Sequence, residues 1–321
     1  MTDPVTGLPL DVEPTLRFGF ITSMGGAESA RATAEHADAL GYDSLWVGDH
    51  ISFPMPILDP LIQLSQVAAH SDRLALGTSV FLLPLRHPVL VAKQVATLDL
   101  LCEGRFTFGV GVGGEFPGEY EACEVPLSER GARLSEAIPL LRRLWSGEPA
   151  AAPGPHYRFP ATKMLPRPRQ AGGPPIWCGG RSAAALRRIG RIGDGWISYV
   201  VTPERYREGL ETIATAAADA RRDLGVLGTS HLLFTRIDDR FEDAHEAATE
   251  HLSARYAMDF REPARRYAAL GRPEDVAERI DAFHRAGVRH LILDLTGPMG
   301  DRNAQLERFA SEVRPLLQKT E

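Results

Sequence analysis

Short apolar runs and amphipathic helical stretches alternate eight times along this chain, a pattern that few folds accept. The apolar runs are Leu16–Ile21, Ser44–Val47, Leu74–Leu82, Phe106–Val110, Ile176–Cys178, Trp196–Val200, His231–Ile237 and Arg289–Leu295. Between them, apolar residues recur at helical spacing. Val91, Val95, Leu98 and Cys102 share one face after Pro88; Leu134, Ile138 and Leu141 share another; so do Val276, Ile280 and Phe283 after Pro273. Near-continuous apolar strands alternating with such helices imply a parallel sheet covered on both faces. Eight units in 321 residues predict an α/β chain closed into a (β/α)8 TIM barrel.

Residues 1–14 read as an N-terminal arm, disordered or hugging the surface, and residues 15–321 as a single barrel domain. Residues 147–175 are rich in proline and without periodicity. They read as an insertion loop between the fourth helix and the fifth strand. A net charge of −6 gives no electrostatic case for nucleic acid or an anionic membrane. No apolar run nears the roughly 20 residues of a membrane span, and the N-terminus has no signal-peptide pattern. Cys102, Cys123 and Cys178 are odd in number and far apart, which suggests neither a disulfide framework nor a zinc site. A cytoplasmic location is expected.

In such a barrel the site lies at the C-terminal ends of the strands. The fourth run continues as Gly111-Val112-Gly113-Gly114-Glu115, a turn stripped of side chains where backbone can approach a flat ring or a phosphate. The dinucleotide fingerprint is excluded, because Pro117 and a loop separate the glycines from a helix expected near Ser128, and no acidic strand end follows. A bare barrel turn without a ligand fits the same letters. His50 ends the second strand beside Asp49. It suits proton exchange near neutral pH or, equally, a structural bond to a loop carbonyl; Asp49 suits capping of the loop backbone. Gly179-Gly180-Arg181-Ser182 suits an anion site at a helix start, or an ordinary Ser182 N-cap with an exposed arginine. Glu115 lies close to the glycines, whereas Glu119, Glu121 and Glu124 read as a solvated acidic loop. His245 and His251 are spaced by six, which is wrong for a zinc-protease helix. No metal is expected.

Several stretches resemble the bacterial-luciferase-like superfamily of flavin and deazaflavin oxidoreductases: Leu45–His50 (LWVGDH), Leu76–Lys93, Ala96–Gly113, Arg130–Trp145, Pro175–Arg181 (PIWCGGR) and Gly193–Trp196 (GDGW). Gly77-Thr78-Ser79-Val80 followed by Arg86-His87-Pro88 is similar to the branch that uses the 5-deazaflavin coenzyme F420. The resemblance implies a cis peptide at Ser79–Val80 beneath the ring and a catalytic His50 over its reactive edge. It also implies a cofactor set of Asp49, Ser79, Val80, Gly111, Gly113, Gly114, Glu115, Gly179, Gly180, Arg181 and Ser182, with the Gly179–Arg181 turn on the phosphate. The implied activity is hydride transfer to or from a small organic substrate. An FMN-dependent monooxygenase and a non-catalytic flavin-binding barrel are the alternatives, and a homodimer is a further expectation. The chain departs from the superfamily at Cys102-Glu103 and Cys123-Glu124. The sixth strand ends without Lys or Arg, which disfavours a sugar phosphate unless Arg236 contributes.

Overall fold

The computed structural model describes residues 7–317. In chain order the elements are β1 (Arg17–Thr22), α1 (Ala27–Ala39), β2 (Ser44–Val47), α2 (Pro60–Ala68), β3 (Ala75–Thr78), β4 (Phe81–Leu82), α3 (Pro88–Leu101), β5 (Phe106–Gly111), α4 (Pro117–Ala122), α5 (Arg130–Trp145), β6 (Ala150–Pro153) and β7 (Arg158–Thr162). There follow β8 (Ile176–Gly179), α6 (Ala183–Ile192), β9 (Gly195–Tyr199), α7 (Pro203–Asp219), β10 (Gly228–Ile237), α8 (Phe241–Tyr256), α9 (Arg261–Tyr267), β11 (Ala269–Gly271), α10 (Pro273–Arg285), β12 (His290–Leu295), α11 (Arg302–Arg308) and α12 (Arg314–Leu317). Helix starts follow local chemistry. Pro60 and Pro203 stand in the first helical turn, where the missing N–H costs nothing. Asp59 and Thr202 before them accept from Leu61, Ile62 and Arg205 backbone N–H groups.

The strands β1, β2, β3, β5, β8, β9, β10 and β12 pair in parallel in that order, and β12 pairs back onto β1 through Arg17↔His290 to Phe20↔Leu293. The ring is therefore closed and has no edge, as the eight alternations predict. Helices cover its outside. Inside, two tryptophans fill the lower barrel: Trp46 and Trp177 stack at 5.6 Å, and His290 stands edge-on to both. Neighbouring strands make room with glycine, since a Cβ on Gly77 would lie 2.2 Å from the Trp46 ring and one on Gly195 2.3 Å from Trp177. Ser44 Oγ joins His290 Nε2 at 2.6 Å and accepts from Trp46 Nε1 at 2.8 Å. This packed floor leaves open only the end where the strands finish.

Four local features differ from the sequence expectation. The third strand is broken into β3 and β4, and the Ser79–Val80 peptide between them is cis, as the resemblance implied. Residues 117–122, expected as loop, form the helix α4. The proline-rich stretch holds an antiparallel hairpin, β6–β7, whose His156 and Tyr157 N–H groups donate to Glu136 on α5. The segment α9–β11 was not visible as a pattern, because seven-residue and three-residue elements are too short to show a period. Residues 1–6 of the expected arm lie outside the described residues. Within its remainder, Leu8 and Leu10 are buried in the core rather than on the surface, and Val12 bridges Leu227.

Candidate active site

The open end of the barrel holds a cavity of about 330 Å³. Of the residues expected there, Asp49, His50, Ser79, Val80, Gly111, Gly113, Glu115, Gly179 and Gly180 line it; Gly114, Arg181 and Ser182 do not. Gly114 faces Arg130, whose Nε would lie 3.2 Å from an added Cβ. Ser182 caps α6, its Oγ accepting from Ala185 N–H at 3.2 Å. Arg181 lies over the Tyr199 ring at 4.8 Å and lines a neighbouring surface cleft.

One wall is a ledge. Val80 rises between β5 and β8, and the space on either side of it exists only because of glycine. A Cβ on Gly111 would stand 2.3 Å from Val80 Cγ2, and one on Gly179 2.8 Å from Val80 Cγ1. Gly113, at φ +54°, carries the rim past Leu82. A flat apolar face with side-chain-free edges fits the planar tricyclic ring of a flavin or deazaflavin. Beyond it, the Gly180 N–H donates to Ile197 O at 3.3 Å and the Ala185 N–H to Ser182 Oγ, so an anion at this turn would be met by the remaining first-turn N–H groups of α6.

His50 stands at the other side of this ledge. Its Nδ1 lies 3.1 Å from Glu119 Oε2, and a carboxylate only accepts, so Nδ1 carries the hydrogen and Nε2 is the nitrogen left for chemistry. The ring is clamped by Phe53, stacked at 4.2 Å and 12°, and by Phe116 edge-on at 5.3 Å. Glu119 is a correction to the sequence reading. It is 2% exposed rather than solvated, and its other oxygen accepts from the Ile51 and Ser52 N–H groups at 2.6 and 3.1 Å. No local pattern announces it, because His50 lies 69 residues away. Asp49 is also recast. Its buried carboxylate forks onto Arg86 at 2.5 and 2.8 Å and accepts from Leu82 N–H at 2.8 Å, so it fixes β4 and its side chain is not free for a ligand.

The far wall carries a second polar group. Arg255 forks onto Asp294 at 2.6 and 3.2 Å and donates to His251 Nε2 at 2.8 Å; His251 Nδ1 in turn donates to Gly297 O at 2.6 Å. Burial, with the Arg255 charge beside it, holds the His251 pKa below its ordinary value, so this histidine stays neutral. Tyr199 donates to Glu115 Oε1 at 3.1 Å, and burial together with that carboxylate pushes its phenol up to about 12. Arg236, expected as an optional phosphate ligand, is held by Asp238, Asp301 and Thr296 O away from the cavity.

A family model of the luciferase-like monooxygenases matches residues 14–290. The chain belongs to this family. Among its curated members, the F420-dependent glucose-6-phosphate dehydrogenase of Beutenbergia cavernae is 31% identical over 320 residues, covering 89% of this chain and 92% of that protein. Two solved structures of the family fold are an F420-dependent secondary alcohol dehydrogenase in complex with an F420–acetone adduct (TM-score 0.82, 19% identity) and the monooxygenase RslO1 from Streptomyces bottropensis (TM-score 0.80, 24% identity). Each covers 94% of this chain, and this chain accounts for 99% of each; they share the luciferase-like barrel.

Proposed function

We propose that this family member is a coenzyme F420-dependent oxidoreductase acting on a small organic substrate, with His50 as its proton-exchanging residue. The observation that carries the proposal is the His50–Glu119 pair, with Nε2 free at the side of a ledge that fits a planar ring. Relatives named as F420-dependent dehydrogenases, near 30% identity across most of both chains, support the choice of cofactor. Val80 backs the ring, Gly111, Gly113 and Gly179 border it, and the α6 N-terminus with Arg181 holds the anionic side chain. Once bound there, the deazaflavin supplies a hydride donor or acceptor at its C5.

The protein's own contribution is position and a proton. His50 Nε2 takes the hydroxyl proton of an alcohol being oxidised, or returns it to the oxygen of a carbonyl being reduced. Glu119 keeps Nδ1 protonated and stabilises the imidazolium that forms, and Phe53 and Phe116 fix the ring plane. The apolar side chains of Phe53, Met55 and Phe116 exclude water from the reacting edge.

Two finer readings accompany this one. Free thiols at Cys102, Cys123 and Cys178 favour a reducing, cytoplasmic setting, and no described helix is long and apolar enough to cross a membrane. Ile62 on α2 and Leu90 and Leu101 on α3 are between 60 and 67% exposed, an apolar face that favours a homodimer.

The test is His50→Ala, assayed with oxidised coenzyme F420 and a panel of secondary alcohols, and with the reduced form and ketones. Turnover falls by about 100-fold or more, while the dissociation constant of the deazaflavin stays within about twofold. Equal losses in both would make His50 a binding residue and overturn its assigned role.

A further inference from the structure

We propose that the substrate carries a carboxylate, received by Arg302 on the wall built from the ends of β1 and β12. The inference rests on reading the cavity as the site of hydride transfer, and it names the class of molecule that site takes. Around the closed ring, β5 lies opposite β12 and β8 opposite β1. The glycine ledge on β5 and β8 therefore faces the wall that carries Thr22, Asp294 and Arg302.

The arginines and carboxylates along the cavity are mostly matched. Arg86 is paired with Asp49 and Arg255 with Asp294, while Glu119 is filled by His50 Nδ1–H and the Ile51 and Ser52 N–H groups. Glu115 belongs to the ledge side, where the Tyr199 hydroxyl meets it. Arg302 differs. It is half-buried, and among the described residues its one hydrogen bond goes from Nη1 to the neutral Thr22 hydroxyl. Among the described residues no carboxylate lies within 4.0 Å of its guanidinium. A guanidinium has five N–H donors, so most of this one's capacity remains for a ligand. Burial draws its pKa below the ordinary arginine value, a cost that an arriving anion would offset. A carboxylate suits it better than a phosphate dianion. One planar fork matches two carboxylate oxygens, while no lysine among the described residues lines the cavity and Arg255 is already spent on Asp294.

Benzoate and benzamide differ in charge at nearly constant shape, and their binding to the purified chain by calorimetry tests the proposal without a variant. Benzoate binds about tenfold more tightly than benzamide. Arg302→Gln removes that preference, Arg302→Lys retains part of it, and both keep the affinity for coenzyme F420 within about twofold. Equal binding of the two probes, no saturable benzoate binding up to about 10 mM, or a preference that survives in R302Q overturns the proposal. So does a large loss of deazaflavin affinity in R302Q with the probe preference intact, because the anion met by Arg302 would then be the cofactor's own. Failure of the chain to bind any deazaflavin would instead strike the proposed cofactor, a result recorded separately from the probe titration.

Discussion

Glu119 shows how much a single side chain can hide from its sequence. A carboxylate at 2% exposure is stable only when its lone pairs are filled, and here Ile51 N–H, Ser52 N–H and His50 Nδ1–H fill them. The same three bonds fix the loop after β2 and the tautomer of the imidazole. Glu119→Gln keeps the shape and an oxygen for the backbone donors but sets an NH2 group against Nδ1. That selects the tautomer with hydrogen on Nε2, which cannot accept a proton. Turnover then falls by roughly 100-fold or more with deazaflavin affinity unchanged; steady-state kinetics beside a binding titration would show it, and an unaltered kcat would contradict the assigned tautomer. His50 was legible because it ends a strand whose neighbours give its place. Glu119 and Arg302 were not, because each reaches the site from a segment whose position depends on the closed barrel. Asp49 was read as a backbone cap and does accept the Leu82 N–H, but its fork onto Arg86, 37 residues on, was not legible.

At the scale of elements, the ledge depends on three separate strands agreeing. β4 presents nothing by itself; Val80 stands where it does because the third strand breaks after Thr78, and β5 and β8 yield space to it at Gly111 and Gly179. A methyl group on Gly111 would meet Val80 Cγ2 and push that side chain toward the cavity. Gly111→Ala is expected to weaken deazaflavin binding by about tenfold or more, with a stability loss of about 1–3 kcal/mol from overpacking. A variant that folds normally and binds the cofactor as well as the parent would contradict the ledge. The glycines were visible in the sequence, but the break in the third strand was carried by resemblance rather than by periodicity, since Leu74–Leu82 reads as one apolar run. The β6–β7 hairpin was illegible for a related reason. β6 alternates in burial but is spelled Ala-Ala-Ala-Pro, and β7 lies largely in solvent, so no apolar–polar contrast in the letters marks either strand.

For the molecule as a whole, near-continuous burial of the strands called for a parallel sheet covered on both faces, and eight strand–helix units in sequence order closed that sheet into a ring. Two buried histidines, one inside that ring and one between the ring and its helices, shape the response to acid. His290 lies under the tryptophan floor, and His231 is held between Ser198 Oγ at 2.7 Å and the Phe283 ring at 4.1 Å. Burial pulls both imidazoles down to about 3. The folded state therefore keeps them neutral while the unfolded chain takes up protons near pH 6.5. Stability is complete above that pH and is lost as pH falls toward 3, by up to about 1.4 kcal/mol per pH unit for each histidine. Urea unfolding at pH 8, 6.5 and 5 reads this effect together with that of His87 and His251, whose pKa values burial also lowers, and separates it from the carboxylates, which contribute mainly below that window. A stability independent of pH over the range would mean that these histidines are hydrated.

The measurement that tests the central claim most directly is parallel titration of the purified chain with oxidised coenzyme F420 and with FMN, followed by fluorescence at matched concentrations. Saturable binding of the deazaflavin with no response to FMN is the predicted result. Binding of FMN alone would contradict it, and would turn the same ledge and the same His50–Glu119 pair toward an oxygen-consuming monooxygenase.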